Sequence, residues 1–305
     1  MGRIAFVFPG QGTQYTGMGR ELAEGSPAAA EVFLQADQLR PGTSEQCFSG
    51  SEELLRETKI TQPCMFAVEL AAAAALTEAG INPDVAAGFS LGEISALSFT
   101  GMVDLSTSFE LVCKRGALMQ EAAEQADTAM VAVVRLDNKT VERVCAEFDG
   151  VYPVNYNCPG QVSVAGLREK MVDYSAAVKS AGGRAIPLKV SGGFHSPFMA
   201  QAAERFGREL EKVTFCQPKM PLYSNCTGLP YGAEVKELLA KQICSPVRWE
   251  SIVRHMIESG VDTFIEVGPG NALSGMISKI DKNVHTFCVS DKESLEKCVA
   301  EVRKC

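Results

Sequence analysis

Two rhythms of apolar and polar positions alternate along this chain. Short apolar runs of strand length recur, each followed by a longer stretch with the three-to-four-residue spacing of a helix. The first run, residues 3–8, ends in Pro9-Gly10-Gln11-Gly12 and predicts a strand entering a glycine-rich turn. Residues 63–78 predict an Ala-rich helix that is apolar all round, and so buried on more than one face. A buried strand over 84–87 follows the Asn82-Pro83 turn and leads into a helix over 91–102. Residues 106–126 predict a second long helix. Late in the chain a strand over 263–267 runs into Gly268-Pro269-Gly270 and a helix over 271–280. Strands alternating with helices in this way predict an α/β fold around a mostly parallel sheet.

The middle of the chain has a different order. A strand over 129–136, a helix over 139–148, paired strands over 151–157 and 161–165, a helix over 169–181 and a strand over 184–190 give β-α-β-β-α-β, the ferredoxin-like pattern. The predicted architecture is a larger α/β domain in two pieces, residues 1–126 and 196–305, with a small ferredoxin-like domain, residues 127–195, inserted between them. A length of 305 residues fits two units better than one core.

Composition narrows the class. The longest purely apolar run, residues 70–76, is too short to span a bilayer, so no membrane association is expected. The apolar run near the N-terminus is shorter than a secretory signal requires, and no small-residue cleavage site follows it. Eleven cysteines, an odd number without a Cys-x-x-Cys or paired Cys/His spacing, point to reduced thiols in the cytoplasm and to no metal site. A formal net charge of −8 argues against nucleic acid as a partner.

Candidate chemistry centres on Gly88-Phe89-Ser90-Leu91-Gly92. A Gly-x-Ser-x-Gly pattern between a strand and a helix strains the serine backbone and pushes its hydroxyl outward, near helix N–H groups that can hold an oxyanion. The chemistry implied is acyl transfer through a serine ester; the alternative is a glycine-rich turn with no reaction. Only three histidines could serve as base. His255 lies in a helical stretch and His285 starts a late strand, whereas His195 lies in the loop Ser191-Gly192-Gly193-Phe194-His195-Ser196 leaving the inserted unit. Pockets favour such junctions, which makes His195 the candidate. No acidic residue marks itself as a third triad member, so a backbone group orienting the imidazole, and hence a Ser-His dyad, is one outcome. Arg115 stands in an apolar helical ridge with Leu111, Leu118 and Ala122. A cation there needs an anion: an internal carboxylate such as Glu93 or Glu266, or the carboxylate of a substrate. The spacing leaves both open. The turns Pro9-Gly10-Gln11-Gly12 and Gly268-Pro269-Gly270 lack the P-loop and dinucleotide fingerprints and are expected to line the site by close approach.

These segments stand in an order that resembles a known family. Pro9-Gly10-Gln11-Gly12-Thr13-Gln14, Thr61-Gln62-Pro63, Gly88-x-Ser90-Leu91-Gly92-Glu93, Arg115-Gly116, Asn157-x-Pro159-Gly160-Gln161, Phe194-His195-Ser196, Pro246-Val247-Arg248-Trp249 and Glu266-Val267-Gly268-Pro269-Gly270 are similar to motifs of the malonyl-CoA:acyl carrier protein transacylases, over about residues 3–281. The resemblance implies an acyltransferase of fatty acid biosynthesis with a hydrolase-like α/β domain and a ferredoxin-like insert. Ser90 would be the nucleophile and His195 the base. The backbone N–H groups of Gln11 and Leu91 would form the oxyanion hole, and Arg115 would bind the malonyl carboxylate. Gln242 and Gln62 would be supporting residues, with Phe194 limiting space beside the substrate α-carbon. It implies no cofactor, malonyl-CoA and acyl carrier protein as partners, and a monomer. An acidic carrier would meet a basic patch drawn from Lys189, Lys241, Arg248, Lys279 and Lys282. One position departs from the family: Phe89 stands where a histidine usually precedes the nucleophile. A serine hydrolase, or a non-catalytic homologue that only docks carrier protein, are the alternative functions.

Overall fold

The computed structural model describes residues 2–303, so residues 1, 304 and 305 at the outer ends of the predicted large domain lie outside it. Nine strands form among the described residues: β1 (Arg3–Phe8), β2 (Val85–Gly88), β3 (Thr128–Val134), β4 (Val151–Cys158), β5 (Gln161–Leu167), β6 (Arg184–Pro187), β7 (Leu222–Tyr223), β8 (Val261–Val267) and β9 (His285–Val289). The apolar runs of β1 and β2 are buried along almost their whole length, as strands covered by helices on both faces must be. They sit together in a five-stranded sheet of order β7-β2-β1-β8-β9, every pair parallel. The four remaining strands form an antiparallel sheet of order β4-β5-β3-β6, the ferredoxin-like arrangement.

The Ala-rich segment is a helix, Thr58–Glu78, packed along the Leu105–Gln125 helix. It begins earlier than predicted and carries Pro63 inside it, where the missing N–H removes one intrahelical bond. By length and hydropathy this helix could cross a membrane, yet 89% of its most apolar window is buried within the protein. Its apolar surface is core. Small residues allow the approach: a Cβ on Gly116 would lie 3.0 Å from the Thr58 carbonyl oxygen.

The small sheet uses its period of two to serve two cores. Val131, Val133, Val162 and Val164 pack with Val141 and Tyr174 from the Asn138–Ala146 and Met171–Ser180 helices. Met130, Val154 and Ala165 face the other way and join the main core. The edge of β4 is stitched to Val247: Tyr156 N–H donates to the Val247 carbonyl and Val247 N–H to the Val154 carbonyl, both at 2.9 Å.

Two boundaries differ from expectation for visible reasons. The helix predicted over 91–102 spans Gly92–Phe99, because Gly101 takes a left-handed conformation (φ 73°) and the Gly101 and Met102 N–H groups close back on the Ser98 and Leu97 carbonyls. The strand predicted over 184–190 stops at Pro187, which has no N–H for the ladder. Leu188 N–H still donates to the Met130 carbonyl of β3 at 2.9 Å, and residues 188–190 reach the site described next.

Candidate active site

The turn between β2 and the Gly92–Phe99 helix is as tight as the glycines suggested. A Cβ on Gly88 would land on the carbonyl of Gly92, and a Cβ on Gly92 would strike the backbone carbonyls of Phe8 and Pro9. Ser90, between them, takes φ 56°, a left-handed conformation that costs a non-glycine residue about 1–3 kcal/mol. The hydrogen bonds on both sides of Ser90 hold it there. Its N–H donates to Asn225 Oδ1 at 2.7 Å, and its carbonyl accepts from Gln242 Nε2 at 2.7 Å.

His195 is another of the three non-glycine residues with positive φ among the described residues, at 59°. Its loop is fastened to the start of β3, where Gly193 N–H donates to Thr128 Oγ1 at 2.7 Å. The imidazole bridges two partners: Nε2 is 2.8 Å from Ser90 Oγ and Nδ1 is 2.8 Å from the Gln242 carbonyl. A carbonyl only accepts, so Nδ1 carries the proton. Burial, followed by the Arg115 charge, pushes the ring pKa down to about 4. The ring is therefore neutral near pH 7, and its Nε2 lone pair faces the serine hydroxyl. The geometry is that of a Ser-His dyad with a backbone orienter. His255 lies elsewhere, with Nδ1 2.8 Å from the Gly228 carbonyl, and His285 is exposed at the start of β9.

Arg115 is fully buried. Nη1 donates to Gln62 Oε1 at 2.9 Å, and Nη2 donates to Gln242 Oε1 at 2.8 Å and to Ser90 Oγ at 3.2 Å. Nε has no partner. Burial pulls its pKa down to about 10, against the opposing charge of Glu93, which leaves it protonated. Of the two internal carboxylates weighed from sequence, Glu266 accepts from the Leu273 and Ser274 N–H groups at a helix start. Glu93 reaches Arg115 only across the Gln242 carboxamide, whose Nε2 donates to Glu93 Oε2 at 2.7 Å. The guanidinium is thus bonded to neutral groups alone, with a buried donor to spare, beside the serine hydroxyl.

A cavity of about 260 Å³ opens over Ser90 and His195. Gly10, Gln11 and Gly12 form one wall, Phe89, Met119 and Phe194 another, and the small sheet contributes Met130, Asn155 and the segment Leu188-Lys189-Val190. Gln11 lines this cavity and Leu91 follows Ser90 at the start of the helix; among the described residues neither N–H enters a loop or turn hydrogen bond. Phe89 packs edge-on against Trp249, ring centroids 5.7 Å apart, so an apolar wall occupies the place of the expected polar group. The second glycine turn does not line the cavity, contrary to expectation. Gly268 and Gly270 press on Pro9 and Thr13 and so buttress the first turn from behind.

Of the residues singled out for the site, Ser90, His195, Arg115, Gln11, Gln62, Gln242 and Phe194 meet in this one cluster, and Leu91 is placed only by following Ser90 in the chain. Sequence reasoning missed Asn225 and Tyr231. Asn225 also donates from Nδ2 to the Gly88 carbonyl, and the Tyr231 hydroxyl donates to Glu93 Oε1, both at 2.6 Å. Asn225 follows a strand of only two residues, too short to leave a periodic signal.

Comparison with known proteins points to one family. The family model described as the acyl transferase domain matches residues 5–296. The malonyl CoA-acyl carrier protein transacylase of Bacillus subtilis is 38% identical over 312 residues, covering 100% of this chain and 98% of its own. The crystal structure of a malonyl CoA-acyl carrier protein transacylase from Clostridium perfringens superposes with a TM-score of 0.96 at 38% identity, over 99% of this chain and 98% of that one. A malonyl-transacylase solved in complex with its type II PKS acyl-carrier protein gives 0.93 at 36% identity, over 98% and 99%.

Proposed function

The chain belongs to the acyl transferase domain family, and we propose that it carries malonyl from malonyl-CoA to the phosphopantetheine thiol of acyl carrier protein through an ester on Ser90. The observation that carries the malonyl assignment is Arg115: a buried cation bonded only to carboxamides and to the nucleophile. In malonyl the carboxylate is one methylene from the thioester carbonyl. A cation touching the attacking oxygen therefore also reaches the far end of the diacid, and trades its weak bond to Ser90 for a charge-assisted one.

The steps follow from the dyad. His195 Nε2 takes the Ser90 proton as the oxygen attacks the thioester carbonyl. The Gln11 and Leu91 N–H groups receive the oxyanion. Collapse expels the CoA thiolate, which takes the proton back from His195. The carrier thiol then repeats the sequence in reverse, giving malonyl-carrier for fatty acid synthesis. With a carbonyl rather than a carboxylate behind it, the imidazolium formed in transit is stabilised less than in a full triad. Phe89, Phe194 and Met119 keep the ester stage apolar and disfavour water. The acidic carrier would meet Lys189, Lys241, Arg248, Lys279 and Lys282, all exposed, with Lys189 at the cavity wall.

Intact-mass measurement after mixing with malonyl-CoA, without a thiol acceptor, tests this. One malonyl adduct and one burst of CoA are expected, both absent in Ser90→Ala. Steady CoA release without adduct would instead identify a hydrolase.

A further inference from the structure

Ser90 lies in a conformation its side chain disfavours, and two carboxamide residues hold it: Asn225 on its N–H and Gln242 on its carbonyl. Both are tied to one group. The Asn225 N–H donates to Glu93 Oε1 at 2.9 Å, and Gln242 Nε2 donates to Glu93 Oε2 at 2.7 Å. The Tyr231 hydroxyl adds a third donor on Oε1. Glu93 is fully buried in the first turn of the helix that the elbow begins, and it touches neither the cavity nor the reacting atoms.

We propose that Glu93 is a positioning residue for acyl transfer, holding both peptide groups of Ser90 through Asn225 and Gln242. This rests on the acyl-transfer reading above.

The chemistry of the donors makes a carboxylate necessary. Arg115 donates only, so Gln242 must turn Oε1 toward it; the Ser90 carbonyl accepts only, so Nε2 must face the other way. The second Nε2 hydrogen then needs an acceptor, and the Asn225 N–H and Tyr231 hydroxyl need two more. A carboxylate supplies all three. A glutamine at 93 cannot: whichever way its amide turns, its NH2 meets a group that is itself donating. A buried donor left facing a donor is displaced, and the displaced groups are those that fix the nucleophile. Burial raises the Glu93 pKa to about 7, while these donors and Arg115 oppose the rise.

The test compares Glu93→Gln with the unaltered protein, using phenylmethanesulfonyl fluoride as a small neutral probe of Ser90 that has no carboxylate for Arg115. Labelling by this probe, and acylation by malonyl-CoA and by acetyl-CoA, should each slow about 10- to 100-fold. The KM for malonyl-CoA should stay level or fall, because removing an anion near Arg115 strengthens its pull on the incoming carboxylate. A general loosening of the site would raise KM instead. Unchanged probe labelling in folded Glu93→Gln, or a raised KM with kcat intact, overturns the proposal. If that variant does not fold, Tyr231→Phe decides: it removes one donor and leaves the charge, so labelling should slow about 2- to 5-fold, and an unchanged rate overturns the idea. Failure of the malonyl reading looks different: the unaltered protein would take the sulfonyl probe on Ser90 and take no malonyl from malonyl-CoA.

Discussion

The two sheets meet at one cavity and bring different things to it. The parallel sheet delivers its strand ends there: β1 ends in the Gly10–Gly12 turn and β2 in Ser90. Ser90 is buried, strained and hydrogen-bonded on both sides, while the Gly10–Gly12 turn is more open to solvent. The antiparallel sheet delivers side chains from its flank, Met130 and Asn155, and an irregular segment after β6. Asn155 Oδ1 is buried there without a partner. Parallel strands all finish on the same edge, so their connecting turns converge and can be locked by neighbouring helices. An antiparallel sheet alternates its ends, so what it offers a site is a face. The chemistry accordingly lies on the parallel sheet and in the loop that closes on it, and the wall lies on the antiparallel one.

The sharpest way to break this contrast is His195→Ala. Without the base, acylation of Ser90 by malonyl-CoA should fall about 1,000-fold in single-turnover assays. A loss below about tenfold would mean that the dyad geometry is not the working one. Next in size is Arg115→Ala, which should slow malonyl transfer about 100-fold while acetyl transfer changes less than about threefold. Equal losses with both acyl groups would remove Arg115 from substrate recognition. On the antiparallel side, Asn155→Ala should raise the KM for malonyl-CoA about threefold and leave acylation at saturation unchanged. A large drop in kcat there would show that the small sheet shares in the chemistry after all.

The smallest effect is on stability. His195 is held near 4 in the folded chain against 6.5 when free, so the unfolded chain takes up the proton first. The stability this contributes is present above pH 6.5 and drains away as pH falls through 4. Glu93, raised from 4.5 to about 7, acts in the opposite sense: its contribution is complete below 4.5 and is lost as pH rises through 7. Thermal melts of His195→Ala should therefore lose about 5 °C less than the unaltered protein between pH 6.5 and 4. Parallel melting curves for the two proteins would show that the ring is not held neutral by burial.

Much of this was legible from the chain. The period-two and near-four rhythms placed both sheets and the long helices, because burial on one or both faces leaves a periodic trace. The glycines around Ser90 announced the elbow, because only they admit the backbone contacts of Phe8, Pro9 and Gly92. Gln11, Gln62 and Gln242 came from the family resemblance, since a lone glutamine carries no periodic signal. The Gly268-Pro269-Gly270 turn was recognised as a close approach and assigned to the wrong side of the wall, because a glycine reveals that something comes near but not what.

By itself the sequence determined the elements, the two-sheet architecture, the candidate nucleophile and the family, since each depends on local spacing or on residue types in a fixed order. Tertiary structure alone decided which neutral groups hold Arg115, which carbonyl steadies His195 and how Asn225 and Glu93 tie the elbow together. Those bonds join positions up to 149 residues apart. Hydrogen bonding is set by directions and distances between side chains after folding, and no periodicity along the chain encodes these.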